Sequence, residues 1–258
     1  MIMKYYILSV GQNNITSKLF DKLGIDYEYV ACECQKDRFT CDNVVYYKCK
    51  GEHGSNIARK FALSLPDSVV FDDDYSAIIY GGLADTAVKV KKYETKEQIF
   101  AVLGAIKALE DNFEPLIVGG YSGGSISGAE NKVKRNIMQI FFGGKINRFF
   151  RDDSDLYRLN DDVCACIRAY NRGFVCMGMY ELMRVVQTPE LEDNTNNYDM
   201  RSWSKSFLPV LYNPTACKVV WVPAKKLSSG KIRKGRFHHS INWTKIAPKV
   251  VERRQDDQ

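Results

Sequence analysis

The chain has no run approaching the roughly 20 apolar residues that a membrane-crossing helix requires, and its N-terminal MIMKYYILSVGQ lacks a long apolar region or a small-residue cleavage site. A cytoplasmic location without a membrane partner is expected. Neither a Walker A loop nor a dinucleotide fingerprint occurs. The one Gly-rich loop, YSGGSISG, fits neither pattern and is expected only to line a site or form a mobile segment. Histidine is scarce, three in 258 residues. Acidic residues are absent altogether from Met200 to Val251, where eleven lysines and arginines stand alone. The whole chain nets +6, so the remaining residues net −5. Such segregation predicts an anionic partner at the C-terminal end, nucleic acid or a nucleotide diphosphate, against the plainer reading of a solvated basic face.

What is present suits one compact domain over 1–258, since 45% of residues are hydrophobic and 12% aromatic. Eight cysteines read as free thiols in a reducing compartment. The group Cys32, Cys34, Cys41 and Cys49 has the number of ligands for zinc, although its C-x-C start fits a strand better than a knuckle. KYYILSV (4–10) reads as a strand, then Asn13 or Asn14 caps a helix carrying Ile15, Leu19 and Leu23 until Gly24. DYEYVAC and NVVYYKC read as further strands, and Ser55 caps a helix that buries Ile57, Ala58, Phe61 and Leu65. VVF (69–71) follows. This alternation predicts an α/β fold with a mostly parallel, Rossmann-like sheet and flanking helices, whose ligands bind beyond the carboxyl ends of strands. Thr95 and Gln98 form a capping box for a core helix over Ile99, Val102, Leu103 and Ile106, and PLIVGG is a short buried strand.

Three consecutive carboxylates, Asp72, Asp73 and Asp74, stand at the expected end of the VVF strand, where they repel unless a cation, hydrogen bonds or solvent separates them. Strand alternation would put Asp72 and Asp74 on one face, able to approach one cation. A second acidic group, Asp161 and Asp162, follows the expected N-cap Asn160, with Val163, Ile167 and Tyr170 as the buried stripe before Gly173. Acids in a first helical turn are favoured by the helix dipole alone. A site role for one of them as a base is the alternative. His238 and His239 in GRFHHSINW are solvated, contact phosphate, or complete a carboxylate metal site.

The pieces SNIARKFALSLPDSVVFDDD, LNDDVCACIRAYNRG with FVCMGM, and FHHSINW resemble, in that order, GT-A glycosyltransferases, and more narrowly the phage TET-associated and base J glucosyltransferase-like enzymes that sugar-modify hydroxymethylated pyrimidines in DNA. The resemblance implies a GT-A fold with a nucleotide-sugar-binding half (1–118) and an acceptor-binding half (119–258) ending in a basic segment. It implies a UDP-sugar donor and a Mn²⁺ or Mg²⁺ cofactor held by Asp72 and Asp74 with His238 or His239. Arg59, Asp72 and Asp73 would contact the nucleotide sugar, and Asp162 or Asp161 would face the acceptor. The chain has Asn-Asp-Asp where the related pattern has Glu-Asp, which makes Asp162 the better match. For a phage enzyme the compartment would be the host cytoplasm.

The chemistry suits such residues. A cation between two carboxylates neutralises a departing nucleoside diphosphate, and Asp162 as a base contributes about 10²–10⁴-fold if the reaction inverts. Lys225, Lys226, Lys231, Arg233, Lys234 and Arg236 would grip DNA phosphates, while Tyr121, Phe149, Phe150, Trp203 or Trp243 would stack on a flipped base or simply pack in the core. Rival readings are a glycan, lipid or protein acceptor, a metal-dependent nuclease or nucleotidyltransferase, and a binding module without catalysis.

Overall fold

Alternation along the strands divides the interior into two cores. In β1 (Lys4–Leu8) and β2 (Glu28–Cys32), Tyr5, Ile7, Tyr29 and Ala31 pack on one side of the sheet with Val69 and Phe71 of β4 (Ser68–Phe71). Tyr6, Leu8, Val30, Cys32 and Val70 pack on the other. The first side is covered by α1 (Ile15–Leu23) and α3 (Lys96–Asn112), through Phe20 and through Ile99, Leu103 and Ile106. The second is covered by α2 (Ser55–Ser64) and α4 (Asp161–Tyr170). Strands apolar on both faces need helices on both faces, and a three-layer α/β/α arrangement results. These features come from a computed structural model that describes residues 3–48, 55–82, 89–122, 137, 140–150, 160–186, 202–226, 232–233 and 235–247.

Nine strands make the sheet. With β3 (Val44–Tyr47), β5 (Tyr75–Gly82), β6 (Lys89–Lys92), β7 (Leu116–Ser122), β8 (Phe141–Phe142) and β9 (Val175–Val186), the order is β3-β2-β1-β4-β8-β7-β9-β5-β6. β1 to β4 run parallel, β8 opposes both β4 and β7, and β5 opposes β9 and β6, so the sheet is mixed but mostly parallel. The sheet cannot be flat. Phe71 and Tyr75 are four residues apart, about 14 Å at most, whereas four strand places separate β4 from β5, about 19 Å when flat. β9 supplies the bend, because its register shifts between Gly119 and Tyr121 of β7 and again between Tyr75 and Ala77 of β5.

Helix ends largely follow the sequence chemistry. Asn14 Oδ1 accepts from Ser17 N at 2.8 Å, Gly24 closes α1 in the left-handed region, and Thr95 and Gln98 form the expected capping box. α1 departs in its buried face, which is Thr16, Ser17 and Phe20, with Leu19 and Leu23 only partly covered. Beyond α4, α5 (Ser202–Tyr212) leads to β10 (Cys217–Val222), which pairs antiparallel with β13 (Arg236–Ile241) in a separate two-stranded sheet. β11 (Lys225–Lys226) pairs with β12 (Ile232–Arg233), and α6 (Trp243–Ile246) follows. Strands from both sides of residue 118 belong to the same nine-stranded sheet, and β7 itself crosses that position. Cys32 is disulfide-bonded, which corrects the expectation of free thiols at that position and removes it from any zinc set. Among the described residues no helix is long and apolar enough to cross a membrane.

Candidate functional site

β4 ends at Phe71, and the triad begins there at the carboxyl edge of the sheet. β2 and β3 lie to one side of β1 and β4 to the other, so the triad borders the place where strand order reverses, where open α/β sheets bind ligands. Asp72 continues the alternation: Val70 faces the α2 and α4 side, Phe71 the opposite side, and Asp72 again the α2 and α4 side. There its Oδ1 accepts from Arg59 Nη2 at 2.5 Å. The same guanidinium donates through Nη1 to Asp161 Oδ2, so Arg59 of α2 ties the first acidic motif to the second.

Asp73 and Asp74 lie in a turn rather than in extended strand, so alternation does not govern them. That turn is fastened to the start of α1. Thr16 Oγ1 donates to Asp72 O at 2.6 Å and accepts from Tyr75 N at 2.9 Å, and Thr16 N donates to Asp73 O at 3.3 Å. The expected sharing of a face by Asp72 and Asp74 through strand alternation therefore does not apply. Asp72 and Asp74 feel Arg59, whereas the charges acting on Asp73 are its two neighbours.

Four carboxylates, Asp72, Asp74, Asp161 and Asp162, thus act on the buried guanidinium of Arg59, and Asp74 also feels the buried Arg184 of β9. Burial pushes Asp73 and Asp74 up to about 6, and Asp72 beside them adds to it. Burial also lifts Asp161 to about 6 against the pull of Arg59, and it raises Asp162. Arg59, 2% exposed, is held more firmly protonated by Asp161 and Asp72. Arg184 lies 5.3 Å from the Tyr75 ring centre, and its Nε and Nη1 are buried without a hydrogen-bond partner. Asp74 Oδ1 is likewise buried and unpartnered.

Asn160 occupies the position before α4 in the left-handed region, φ 63°, and its side chain makes no capping bond. Its Nδ2 instead donates to Lys205 O at 2.8 Å and lies 3.0 Å from His239 Nδ1. Asp162 Oδ1 accepts from Val163 N at 2.8 Å. His239 therefore reaches Asn160, the residue before the second acidic motif, and its ring centre lies 4.4 Å from that of His238. Burial and the neighbouring His238 lower His239 to about 4, so it is neutral at pH 7. The charges acting on it are His238 and Lys205, not the triad. Among the described residues no group of three or more His, Cys, Asp or Glu is arranged to hold a metal. Magnesium, however, is commonly held by one or two carboxylates together with substrate phosphates. Asp72 and the unpartnered Oδ1 of Asp74 fit that mode.

Of the expected phosphate-gripping residues, Lys225 and Lys226 are exposed and Arg236 is half-buried. Lys231, Lys234 and the side chain of Arg233 lie outside the described residues, as do the side chain of Trp203 and the glycine loop beyond Ser122. Phe149 and Phe150 are core, 4% and 3% exposed, and Trp243 packs on Tyr170. A cavity of about 10 Å³, room for one water molecule, lies among Asn56, Phe149, Phe150, Asp161 and Tyr212. Asn56, 1% exposed, has both amide atoms buried there without a hydrogen-bond partner. A larger cavity of about 930 Å³ opens at the amino ends of β1 and β2, away from the acids, between Tyr5, Ile25, Tyr27 and Phe100.

Thr16, Arg184 and Asn56 were not foreseen. Only Arg184 left a trace in the sequence, as an arginine inside the otherwise apolar LMRVV. Comparison with known protein families, curated proteins and solved structures finds no match to this chain.

Proposed function

We propose that the protein is a metal-dependent glycosyltransferase of GT-A type that moves a sugar from a UDP-sugar to a hydroxymethylated pyrimidine in DNA. One observation carries the reading: Arg59 joins Asp72 to Asp161, residues 13 and 102 positions away from it, in one buried centre at the carboxyl edge of the sheet. Asp72 and Asp74 would hold Mn²⁺ or Mg²⁺, whose charge offsets that of a departing diphosphate. Asp162, made more basic by burial, would take a proton from an acceptor hydroxyl. Asp161 keeps Arg59 in place and orders the start of α4 beside it. Lys225, Lys226 and Arg236 supply positive charge for the DNA backbone.

The test is thermal denaturation with a panel of nucleotide sugars, with and without Mn²⁺. A UDP-sugar that stabilises only with metal supports the reading, by about 2.7 kcal/mol at a hundredfold excess over Kd. No metal-dependent stabilisation by any donor refutes it. Transfer of labelled sugar to hydroxymethylated DNA, rather than to a glycan, lipid or protein, decides the acceptor. A second reading, a metal-dependent nuclease or nucleotidyltransferase, is favoured by the same convergence of both acidic motifs, because two-metal chemistry needs shared carboxylates. Nicking of plasmid DNA with Mg²⁺, lost in Asp74→Ala, would select it.

A further inference from the structure

The β10 and β13 pair carries a feature that the acidic site does not use. Trp221 and Phe237 are direct cross-strand partners, their ring centres 5.2 Å apart at 72°, and they remain 59% and 45% exposed. Large aromatics left in water as a contacting pair mark a binding surface more often than a scattered exposed residue does. Their place on the strand is specific. Cys217 and Ile241, Val219 and His239, then Trp221 and Phe237 are successive same-face pairs. The first is in the core, the second touches Asn160 at the head of α4 through His239, and the third emerges into solvent. The aromatic pair therefore lies about 7 Å along the strand from His239, on the face that touches Asn160 just before the second acidic motif. Gly235 backs the indole: a Cβ there would come within 2.5 Å of Trp221 Cζ2.

Charge selects the occupant. Lys225 and Lys226, both exposed, follow Trp221 closely in the chain, Arg236 adjoins Phe237, and the surrounding sequence holds no acid from 200 to 251. Aromatic faces beside exposed lysines are the arrangement that holds unpaired nucleotides, bases on the rings and phosphates on the lysines. We infer that Trp221 and Phe237 form a stacking platform for an unpaired or flipped stretch of DNA, delivering it toward Asp161 and Asp162. This rests on the DNA acceptor proposed above.

The test is fluorescence anisotropy with a labelled single-stranded oligonucleotide containing hydroxymethyluracil, titrated with the full chain at several salt concentrations. Trp221→Ala and Phe237→Ala are each expected to weaken binding about 5- to 150-fold, the range for loss of one base–aromatic stack. The slope of log K against log salt should not change, because neither residue neutralises a phosphate. Lys225→Gln should do the reverse, lowering the slope by about one. Trp221→Phe, which keeps a ring, should retain most affinity, and an unchanged metal-dependent shift with UDP-sugar in each variant shows that the hairpin change has not unfolded the protein. If the wild-type chain binds the oligonucleotide and the double Ala variant binds it equally well, the platform is refuted while the DNA acceptor stands. If the wild type binds no oligonucleotide but keeps its UDP-sugar response, both fail. Binding to anionic-lipid vesicles alone, lost in the double variant, would assign the pair to a membrane surface and overturn the inference.

Discussion

Replacing Arg59 by methionine tests the centre of the site. The side chain is 3% exposed and bonded to Asp72 and Asp161, so the substitution leaves two largely buried carboxylates, 17% and 10% exposed, without their cation. Removing one partner of a buried pair costs about 3–5 kcal/mol. The lost contact with the Phe141 ring, 5.6 Å from the guanidinium carbon, adds less than about 1 kcal/mol. A total near 4 kcal/mol is expected at pH 8, a fall in Tm of about 10 °C for a chain of this size. The sign of the pH dependence is the sharper check. Asp161 already sits near 6 with Arg59 in place, above its usual 3.8. Without the guanidinium it moves higher, so the folded variant binds protons that the unfolded chain releases. Its penalty is then full above the raised folded value and disappears as pH falls toward about 4. Urea denaturation of both proteins at pH 8, 6 and 4.5 should show the gap closing on acidification. Arg59→Met combined with Asp72→Asn and Asp161→Asn should close most of it at every pH, because no unpaired charge remains buried. A gap under about 1 kcal/mol at pH 8, or one that does not change with pH, would refute the electrostatic account.

The other expectations concern the turn, the metal and the histidine. Thr16→Val leaves Tyr75 N buried without its acceptor and should cost about 1–3 kcal/mol in denaturant, whereas Thr16→Ser should cost little. Asp74→Asn should abolish Mn²⁺-dependent stabilisation by the UDP-sugar in thermal melts. In the wild type that stabilisation should weaken below pH 6, where Asp73 and Asp74 take up protons that a cation must displace. His239 has its folded value near 4, below the usual 6.5, so its neutral form contributes stability that is present above pH 6.5 and lost as pH falls toward 4. His239→Gln keeps an acceptor for Asn160 without titrating, and its stability relative to wild type should rise between pH 6.5 and 4.5; parallel curves would sink that assignment.

Much of this architecture was legible in local pattern. The strand and helix alternation over the first seventy residues, the Asn14 and Thr95 caps and the placement of DDD at a strand end all rest on near-neighbour chemistry, which a sequence displays. Residues chosen by distant partners were not. Thr16 sits where hydrophobic periodicity asks for an apolar side chain, and its burial makes sense only through Asp72 and Tyr75, some sixty positions away. The exposed Trp221 was likewise hidden, since a valine-rich strand with one tryptophan reads as core until its cross-strand partner is known. For Phe149 and Phe150 the structure selects core packing over stacking on a base, since both are buried.

The arrangement of charge gives the site its direction. Arg59 has Nη1 on Asp161 and Nη2 on Asp72 and cannot turn them to a diphosphate without abandoning a carboxylate, while Arg184 is buried against Tyr75. Direct bonding by Arg59 thus answers only one of the three triad carboxylates, Asp72, and a negative excess remains there. A diphosphate would be repelled from such a surface unless a further positive charge came with it. A donor bound through a divalent ion resolves both problems together, since the ion relieves Asp74 and presents the phosphates with a cation. The basic hairpin, with its lysines in solvent, is left for a polyanion arriving from outside. The opposite charges of these two surfaces thus suit the two ligands proposed above, a donor that would bring its own metal and a polyanion that would not need it.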